Sequence, residues 1–364
     1  MDKNTEKEFW DGYEKNRANL KRPHIVLCGY TGTGKSSLAK AILSDIVPED
    51  AIGTGKPQTH GFKKYENGDI VLFDSQGFEA GQTEEGFLNF VRRFVREKQE
   101  NPNVDEHIHI VWYTISLPGA RVTPCDLSLI KKIFGTKNTI VVLTKKDSAR
   151  GNQIEAMRKT LIENGIDAEK IVETTDEEGG SVGCNELMEL TLKMLPEAYK
   201  DAFVSAQKVN LEKKIEAIKA KRGKAKVIVV AGAAAATATG AIPIPGSDAP
   251  IIIAEQVSMI GGLALCYGFS KEVLEACGVF PFLARVAGMM VASQLSKLIP
   301  GLGSVINAAV AGTLTGAVGW YCIEIFEKMA IARAKGEKVE FPKLDINDFK
   351  HVLDSYKKSK DSKD

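Results

Sequence analysis

Through the first half of the chain, short β-branched and aromatic runs alternate with longer amphipathic stretches. The short runs predict strands over 24–28, 61–65, 70–73, 107–113, 139–144 and 170–174. Between them, apolar residues at helical spacing predict helices over 35–46, 84–98, 124–134, 153–164 and 185–195. Strand–helix alternation of this kind implies a mainly parallel six-stranded sheet with helices on both faces. Ligands on such sheets bind beyond the carboxyl ends of the strands. The loops after Cys28, Phe73 and Thr144 are therefore expected on one edge.

From residue 196 the strand pattern stops. Residues 196–226 read as a basic helical linker, whose last part, KKIEAIKAKRGKAK, holds seven Lys or Arg against one Glu. Residues 227–247 then run 21 positions without a charge, and 298–323 run 26. Ile242-Pro243-x-x-Gly246-Ser247 recurs as Ile299-Pro300-x-x-Gly303-Ser304, each time between two apolar helical segments. Proline and glycine stop helices, and the serine is placed to cap the next one. Residues 227–342 are therefore expected to be an all-α helical domain with two apolar hairpins. The polar stretch 343–364 reads as a tail, and its end, KKSKDSKD, is expected to be disordered. At the other end, 1–22 carries Phe9, Trp10, Tyr13 and Leu20 among charges and reads as an amphipathic helix. Its aromatic residues are expected to pack on the sheet domain, placed at 23–195, or on the helical one.

Composition changes this picture little. Of the 364 residues, 44% are apolar and 26% charged, which fits packed domains and excludes wholesale disorder. Forty-eight Lys and Arg stand against 47 Asp and Glu, so no overall basic footprint marks a nucleic-acid binder and no nucleic acid is expected as a partner. Six scattered cysteines without a C-x-x-C pair read as reduced thiols of a cytosolic protein. The charged start, MDKNTEKEFW, has no apolar core of a secretory signal. His107 and His109 would share one strand face but lack a third ligand at fixed spacing, so no zinc site is expected.

The strongest chemical signal is GYTGTGKSS at 29–37, a G-x-x-x-x-G-K-[ST] phosphate-binding loop between a strand and a helix. Gly29, Thr31, Gly32, Thr33 and Gly34 let backbone N–H groups curl around phosphate oxygens, and the helix N-terminus adds its positive dipole end. Lys35 would reach the β- and γ-phosphates, Ser36 would offer its hydroxyl to Mg²⁺, and Ser37 would complete the loop. Asp74-Ser75-Gln76-Gly77 ends a strand and fits D-x-x-G. There Asp74 would hold Mg²⁺ through water and the Gly77 amide would sense the γ-phosphate. Thr144-Lys145-Lys146-Asp147 ends another strand and fits [NT]-K-x-D. A carboxylate at Asp147 accepting from guanine N1–H and N2–H₂ rejects adenine, which lacks that donor pair. Lys145 would lay its stem over the purine.

In this order and on these strands, the three motifs resemble a translation-factor-class GTPase domain, of the Era-like and immunity-related type, over about 23–195. The fold class this implies is α/β, a P-loop GTPase domain followed by the all-α domain, with GTP/GDP and Mg²⁺ as ligands. The resemblance places the switch I threonine at Thr59, directly before the second strand, with Thr54 as the competing position. Thr59 would join Ser36 and Asp74 at the metal, and Lys35, Thr59 and Gly77 would serve hydrolysis. The family's base-contacting Ser-Ala loop falls at Thr174 and Thr175.

Two departures matter. Phe78 stands where Ras-like enzymes carry their water-positioning glutamine. A phenyl ring cannot orient water, so intrinsic hydrolysis is expected to be slow, or stimulated by assembly such as G-domain pairing into a homodimer. Gln76 is nearby and polar, but a solvated switch residue is the plainer reading. Gly32 stands where potassium-activated Era-like enzymes carry asparagine, which does not favour potassium dependence.

For 227–323 two readings compete: segments that enter or cross a bilayer, flanked by the polybasic stretch, or helices of a bundle packed on all sides. The order of G domain, basic helix and two apolar helix pairs is similar to immunity-related GTPases and to bacterial GTPases with a C-terminal domain of unassigned function. That resemblance implies association with the cytoplasmic face of a membrane, either its surface or its bilayer. The expected function is a GTP-binding switch enzyme. A non-hydrolysing scaffold or membrane anchor is the alternative, and a permeabilising toxin is a third reading.

Overall fold

The computed structural model describes residues 3–17, 20–43, 47, 61–78, 82–119, 121–175, 182–207, 209–240, 248–289, 308–342, 350–351, 353–354 and 356. They divide into two compact units, Lys21–Lys214 and Met1–Leu20 with Ile215–Asp364.

The first unit is built on six strands: β1 (His24–Gly29), β2 (Phe62–Glu66), β3 (Val71–Ser75), β4 (Ile110–Ser116), β5 (Thr139–Thr144) and β6 (Ile171–Glu173). Their order is β2-β3-β1-β4-β5-β6. Only the β2–β3 pair is antiparallel. Alternate residues of each strand feed opposite faces, because the side-chain period of a strand is two. Ile25, Leu27, Ile110, Trp112, Ile140 and Val142 enter one core. That core is closed by α2 (Lys35–Leu43), α6 (Cys184–Met194) and α7 (Glu197–Ala206). Val26, Cys28, Val111, Tyr113, Val141 and Leu143 enter the other. It is closed by α3 (Glu84–Gln99), α4 (Pro124–Ser128) and α5 (Gly151–Glu163). Trp112 is fully buried and its indole N–H is satisfied by Thr191 Oγ1 at 3.0 Å. Because α7 contributes Tyr199 and Phe203 to the first core, the sheet unit extends beyond residue 195.

The elements match the sequence pattern in kind and differ at their bounds. β4 starts at Ile110, three residues later than expected, and ends at Ser116. Alternation alone cannot fix where a strand starts; here a 3-10 turn capped by Asn103 takes up Val104–Glu106. His107 and His109 thus precede the strand rather than share its face, and both rings serve the backbone. His107 Nε2 donates to the Asn101 carbonyl at 2.8 Å, and His109 Nδ1 accepts from the His24 amide at 3.0 Å. The helix expected over 124–134 is α-helical only to Ser128 and continues as a π-turn, Leu129–Phe134, up to Gly135.

His24 and His109 lie 5.8 Å apart between ring centroids, and Tyr199 packs on His109 at 4.1 Å. Burial lowers both imidazoles to about 4, helped at His24 by the Arg22 charge and at His109 by His24 itself. The folded chain therefore refuses protons that the unfolded chain accepts. Stability is full above the ordinary histidine value of 6.5 and is lost as pH falls towards 4. At ~1.4 kcal/mol per pKa unit, His24 alone accounts for a loss on the order of 3 kcal/mol. Urea unfolding between pH 7 and 5 should show a falling midpoint, and the His24→Gln/His109→Gln double variant should flatten it over that window.

The second unit comprises α1 (Lys3–Arg17), α9 (Arg222–Gly240), α10 (Asp248–Cys266), α11 (Lys271–Ala276), α12 (Val279–Met289) and α13 (Ala308–Ala334), with α8 (Leu211–Ala220) leading into it. α1 buries Phe9 and Tyr13 in the helical core, so its aromatic face is structural. The two helices α1 and α10 meet at glycines. A Cβ on Gly12 would lie 2.2 Å from the Ser258 carbonyl oxygen, and one on Gly261 2.3 Å from that of Phe9. Tyr13 Oη donates to the Phe269 carbonyl at 2.9 Å, and Lys271 pairs with Glu14 at 2.8 Å. Elsewhere Arg222 Nε donates to Glu327 Oε2 at 3.0 Å. The expected I-P-x-x-G-S corners, with Pro243 and Pro300, lie outside the described residues, as does the end of the polar tail. Among the described residues no helix is long and apolar enough to cross a membrane. Of the two readings of 227–323, the described helices lend no support to a crossing: the charge-free runs are rich in Ala and Gly, which supply less apolar surface than Leu or Ile.

Candidate functional site

The site forms at the carboxyl ends of β1, β3 and β5. β1 ends at Gly29, the chain bends through 30–34, and α2 begins at Lys35. The bend is held from behind by hydroxyls. Thr33 Oγ1 donates to the Tyr30 carbonyl at 2.8 Å and lies 2.7 Å from Thr114 Oγ1 on β4. Thr144 Oγ1, at the end of β5, donates to the Thr33 carbonyl at 2.7 Å. Thr31 and Gly32 are exposed at the tip, while Ser36 and Ser37 sit half-buried on the first turn of α2. The opening N–H groups of a helix have no partner within it, and the dipole adds positive potential, so this bend suits an anion. Lys35 is 8% exposed, and its ammonium donates to the carbonyls of Tyr30 at 2.9 Å and Gly29 at 3.3 Å. A nearly buried cation at the mouth of an amide-lined bend is chemically suited to a phosphate.

Beside it, Ser36 Oγ donates to Asp74 Oδ2 at 2.8 Å, while Asp74 Oδ1 is buried with no hydrogen-bond partner. Burial raises the Asp74 carboxyl, with the Ser36 hydrogen bond and the Lys35 charge opposing. An orphaned carboxylate oxygen next to a serine hydroxyl is a hard-oxygen set suited to Mg²⁺. Gly77 lies so close to the bend that a Cβ there would meet the Thr31 amide nitrogen at 2.3 Å. The third position of D-x-x-G after its aspartate therefore has a steric reason. Thr59 and Thr54 lie outside the described residues.

The two residues on either side of Gly77 are both engaged. Gln76 is neither a free polar group nor simply solvated. Its Oε1 accepts from the Gly61 backbone amide at 2.7 Å, and its backbone N–H donates to the Gly61 carbonyl at 2.7 Å. These bonds extend the β2–β3 ladder beyond the Phe62↔Ser75 pair. The Phe78 ring meets Tyr30 edge-on at 5.1 Å and Phe87 at 5.5 Å, and its carbonyl accepts from the Thr31 amide at 3.4 Å.

At the end of β5, Lys145 adopts a left-handed φ of 60° and opens a 3-10 turn, Lys146–Ser148. Asp147 is exposed there, and Ser148 Oγ donates to its Oδ2 at 3.0 Å. Thr174 is brought alongside: its carbonyl accepts from the Lys146 amide at 3.0 Å and its amide donates to Leu143 at 2.8 Å. Thr175 follows, half-buried. Glu173 anchors this corner through Lys146 at 2.7 Å and Arg158 at 3.2 Å.

Residues 24–146 match the family model described as 50S ribosome-binding GTPase. These residues lie in a P-loop GTPase domain. The match, together with the six-stranded topology, supports guanine-nucleotide binding by this G domain and GTPase activity in general. No curated protein matches the chain. Among solved structures, the bacterial selenocysteine-specific elongation factor EF-Sec is similar at 17% identity and a TM-score of 0.34, covering 48% of this chain and 29% of that one. Era, solved with MgGDPNP and nucleotides 1506–1542 of 16S ribosomal RNA, is similar at 18% identity and a TM-score of 0.37, covering 49% of this chain and 58% of that one. Toc33 from Arabidopsis thaliana, solved with Mg²⁺ and GMPPNP, shares 15% identity at a TM-score of 0.32, covering 56% of this chain and 93% of that one. The chain thus spans less than two thirds of the elongation factor and of Era.

The G domain holds functional groups that the motifs did not reveal. Thr114 backs the phosphate loop from β4, one residue past the strand end that the sequence pattern predicts. Tyr30 hydrogen-bonds Thr123 Oγ1 at 3.0 Å, Thr123 and Asp126 form a reciprocal cap, and Asp126 Oδ1 accepts from Tyr113 Oη at 2.6 Å. The Thr-Pro-x-Asp spacing at 123–126 was a legible cap signal. Nothing local announced that it would tie the loop to β4.

Proposed function

We propose that this chain is a GTP switch with slow intrinsic hydrolysis, its helical unit serving as the output module. One observation carries the slow rate. Phe78 fills the position of the water-orienting glutamine and packs between Tyr30 and Phe87, while Gln76 is bonded to Gly61. Mg²⁺, when bound, neutralises charge on the β- and γ-phosphates, and Ser36 and Asp74 are the described residues that would hold it. Lys35 would place its ammonium against the phosphates. Gly77 would bring its amide beside the Thr31 turn, so that switch II closes on the nucleotide, with Thr59 as the proposed switch I partner. Thr144, Lys145, Asp147, Thr174 and Thr175 are proposed to frame the guanine.

Without a positioned water ligand, single-turnover hydrolysis should be no faster than the ~10⁻⁴–10⁻³ s⁻¹ of unassisted GTPases. If G-domain pairing completes the site, phosphate release per molecule should rise at least ~10-fold from nanomolar to tens of micromolar protein, a size within the reach of one added charged group. Dimerisation is stated as important for the GTPase activity of atToc33 and psToc159, a similar pair at 15% identity. A flat per-molecule rate would refute assembly-coupled turnover. No phosphate release at any concentration would favour the scaffold reading.

A second reading, residence on the cytoplasmic face of a membrane, is favoured by the exposed Val227 and Val230 of α9. Fractionation with salt and carbonate washes, with and without a non-hydrolysable GTP analogue, tests it: release by salt or carbonate marks a peripheral protein, and recovery in the soluble fraction throughout would end the membrane reading.

A further inference from the structure

From Val227 to Ala236, α9 is apolar on every side, yet it lies at a surface. Ala225, Val229 and Ala236 face inward, against the helical core. The opposite side carries Gly223, Val227, Val230, Ala231, Ala234 and Ala238, all exposed. Their three- and four-residue spacing puts them on one stripe. Val227 and Val230 are each 68% exposed, the most exposed large apolar side chains among the described residues. A helix without a polar face is ordinarily covered all round, so the stripe requires an occupant.

The charges beside the stripe indicate which. Lys224 and Lys226 are both exposed and flank it on either side, and Lys219 stands one turn earlier. The Lys226 ammonium lies 5.1 Å from the ring centroid of Trp320, a half-buried aromatic at the same level. α9 itself contains no Asp or Glu. Two copies paired through this face would therefore offer each other no counter-charge: parallel helices would juxtapose like charges, and antiparallel ones would set lysines against Ala and Thr. A central apolar band, lysines able to extend along both flanks, and a neighbouring tryptophan are the arrangement of a helix lying in a bilayer interface.

We infer that the exposed face of α9 is the surface by which this chain lies on an anionic bilayer, with Val227 and Val230 at the acyl boundary and Lys224 and Lys226 among the headgroups. The inference deepens the membrane reading above and rests on it.

The test is co-sedimentation of the full chain with phosphatidylcholine vesicles, with and without phosphatidylserine. Wild type should bind the phosphatidylserine vesicles, and less so in high salt. The Val227→Gln/Val230→Gln variant should lose ~10- to 100-fold in partitioning, from the apolar area forfeited. The Lys224→Gln/Lys226→Gln variant should lose about 10- to 30-fold on phosphatidylserine vesicles and nothing on neutral ones. All four sites are solvent-facing, and an unchanged far-UV circular dichroism spectrum and elution volume check that each variant folds. If wild type binds no vesicle, the membrane reading falls and this inference with it. If wild type binds and both variants bind equally well, the membrane reading survives and the α9 surface is refuted. If the valine variant instead converts a dimer to a monomer without vesicle binding, the occupant is a second copy, and the inference is overturned.

Discussion

A Lys35→Ala chain is expected to lose GTP affinity by about 1,000-fold, measured by titration with a fluorescent GTP analogue, while keeping its circular dichroism spectrum. Lys35 is nearly buried, and the carbonyls of Gly29 and Tyr30 fix its ammonium at the mouth of the bend. Removing one partner of a desolvated charge pair costs roughly 3–5 kcal/mol, and every 1.4 kcal/mol is about tenfold. Truncation should leave the fold intact, because the bend is also held by Thr33, Thr114 and Thr144. Lys35→Arg should not rescue: a planar fork cannot replace a compact ammonium in so confined a position. Retention of wild-type affinity by Lys35→Ala would show that the bend is not the phosphate site.

The second large effect is expected at Asp147. Asp147→Asn replaces one acceptor oxygen by an NH₂ donor, which then faces the donors of guanine. Losing hydrogen bonds to a charged group costs about 1.5–3 kcal/mol each, so GTP affinity should fall about 100- to 1,000-fold. The same change suits a purine with a carbonyl in place of the 2-amino group, so the variant should prefer XTP to GTP in competition binding. Asp147 is exposed on a short turn, so the protein should remain folded, with an unchanged melting temperature. An unaltered GTP-to-XTP preference would remove Asp147 from the base site.

The three nucleotide motifs were legible because each is contiguous and sits at a strand end, where parallel-sheet topology converges ligating groups. Even there, the reason for a residue was partly hidden. Gly77 is read from its motif as a γ-phosphate sensor, but the approach of the Thr31 amide is what forbids a side chain. The sequence reads Gln76 as a solvated switch residue and Phe78 as a hydrophobe in the place of a water-positioning glutamine. Their roles here come from distant neighbours, Gly61 for one and Tyr30 with Phe87 for the other. Strand and helix existence followed from periodicity, whereas bounds depended on local capping, as the Asn103 turn before β4 shows. In the helical half, hydropathy identified the apolar runs. It could not separate the buried side of α9 from its exposed one, because alanine, glycine and valine occupy both.

The interlock of Gly12 with Ser258 and of Gly261 with Phe9 bears on how the chain is made. α1 leaves the ribosome well before its partner α10, which ends only at Cys266. At ~5–20 residues per second, the aromatic face of α1 waits for tens of seconds while the intervening domain is synthesised and folds. A nascent chain stalled before residue 248 should therefore display Phe9 and Tyr13 to chaperones, and deletion of α1 should be felt as loss of a core element.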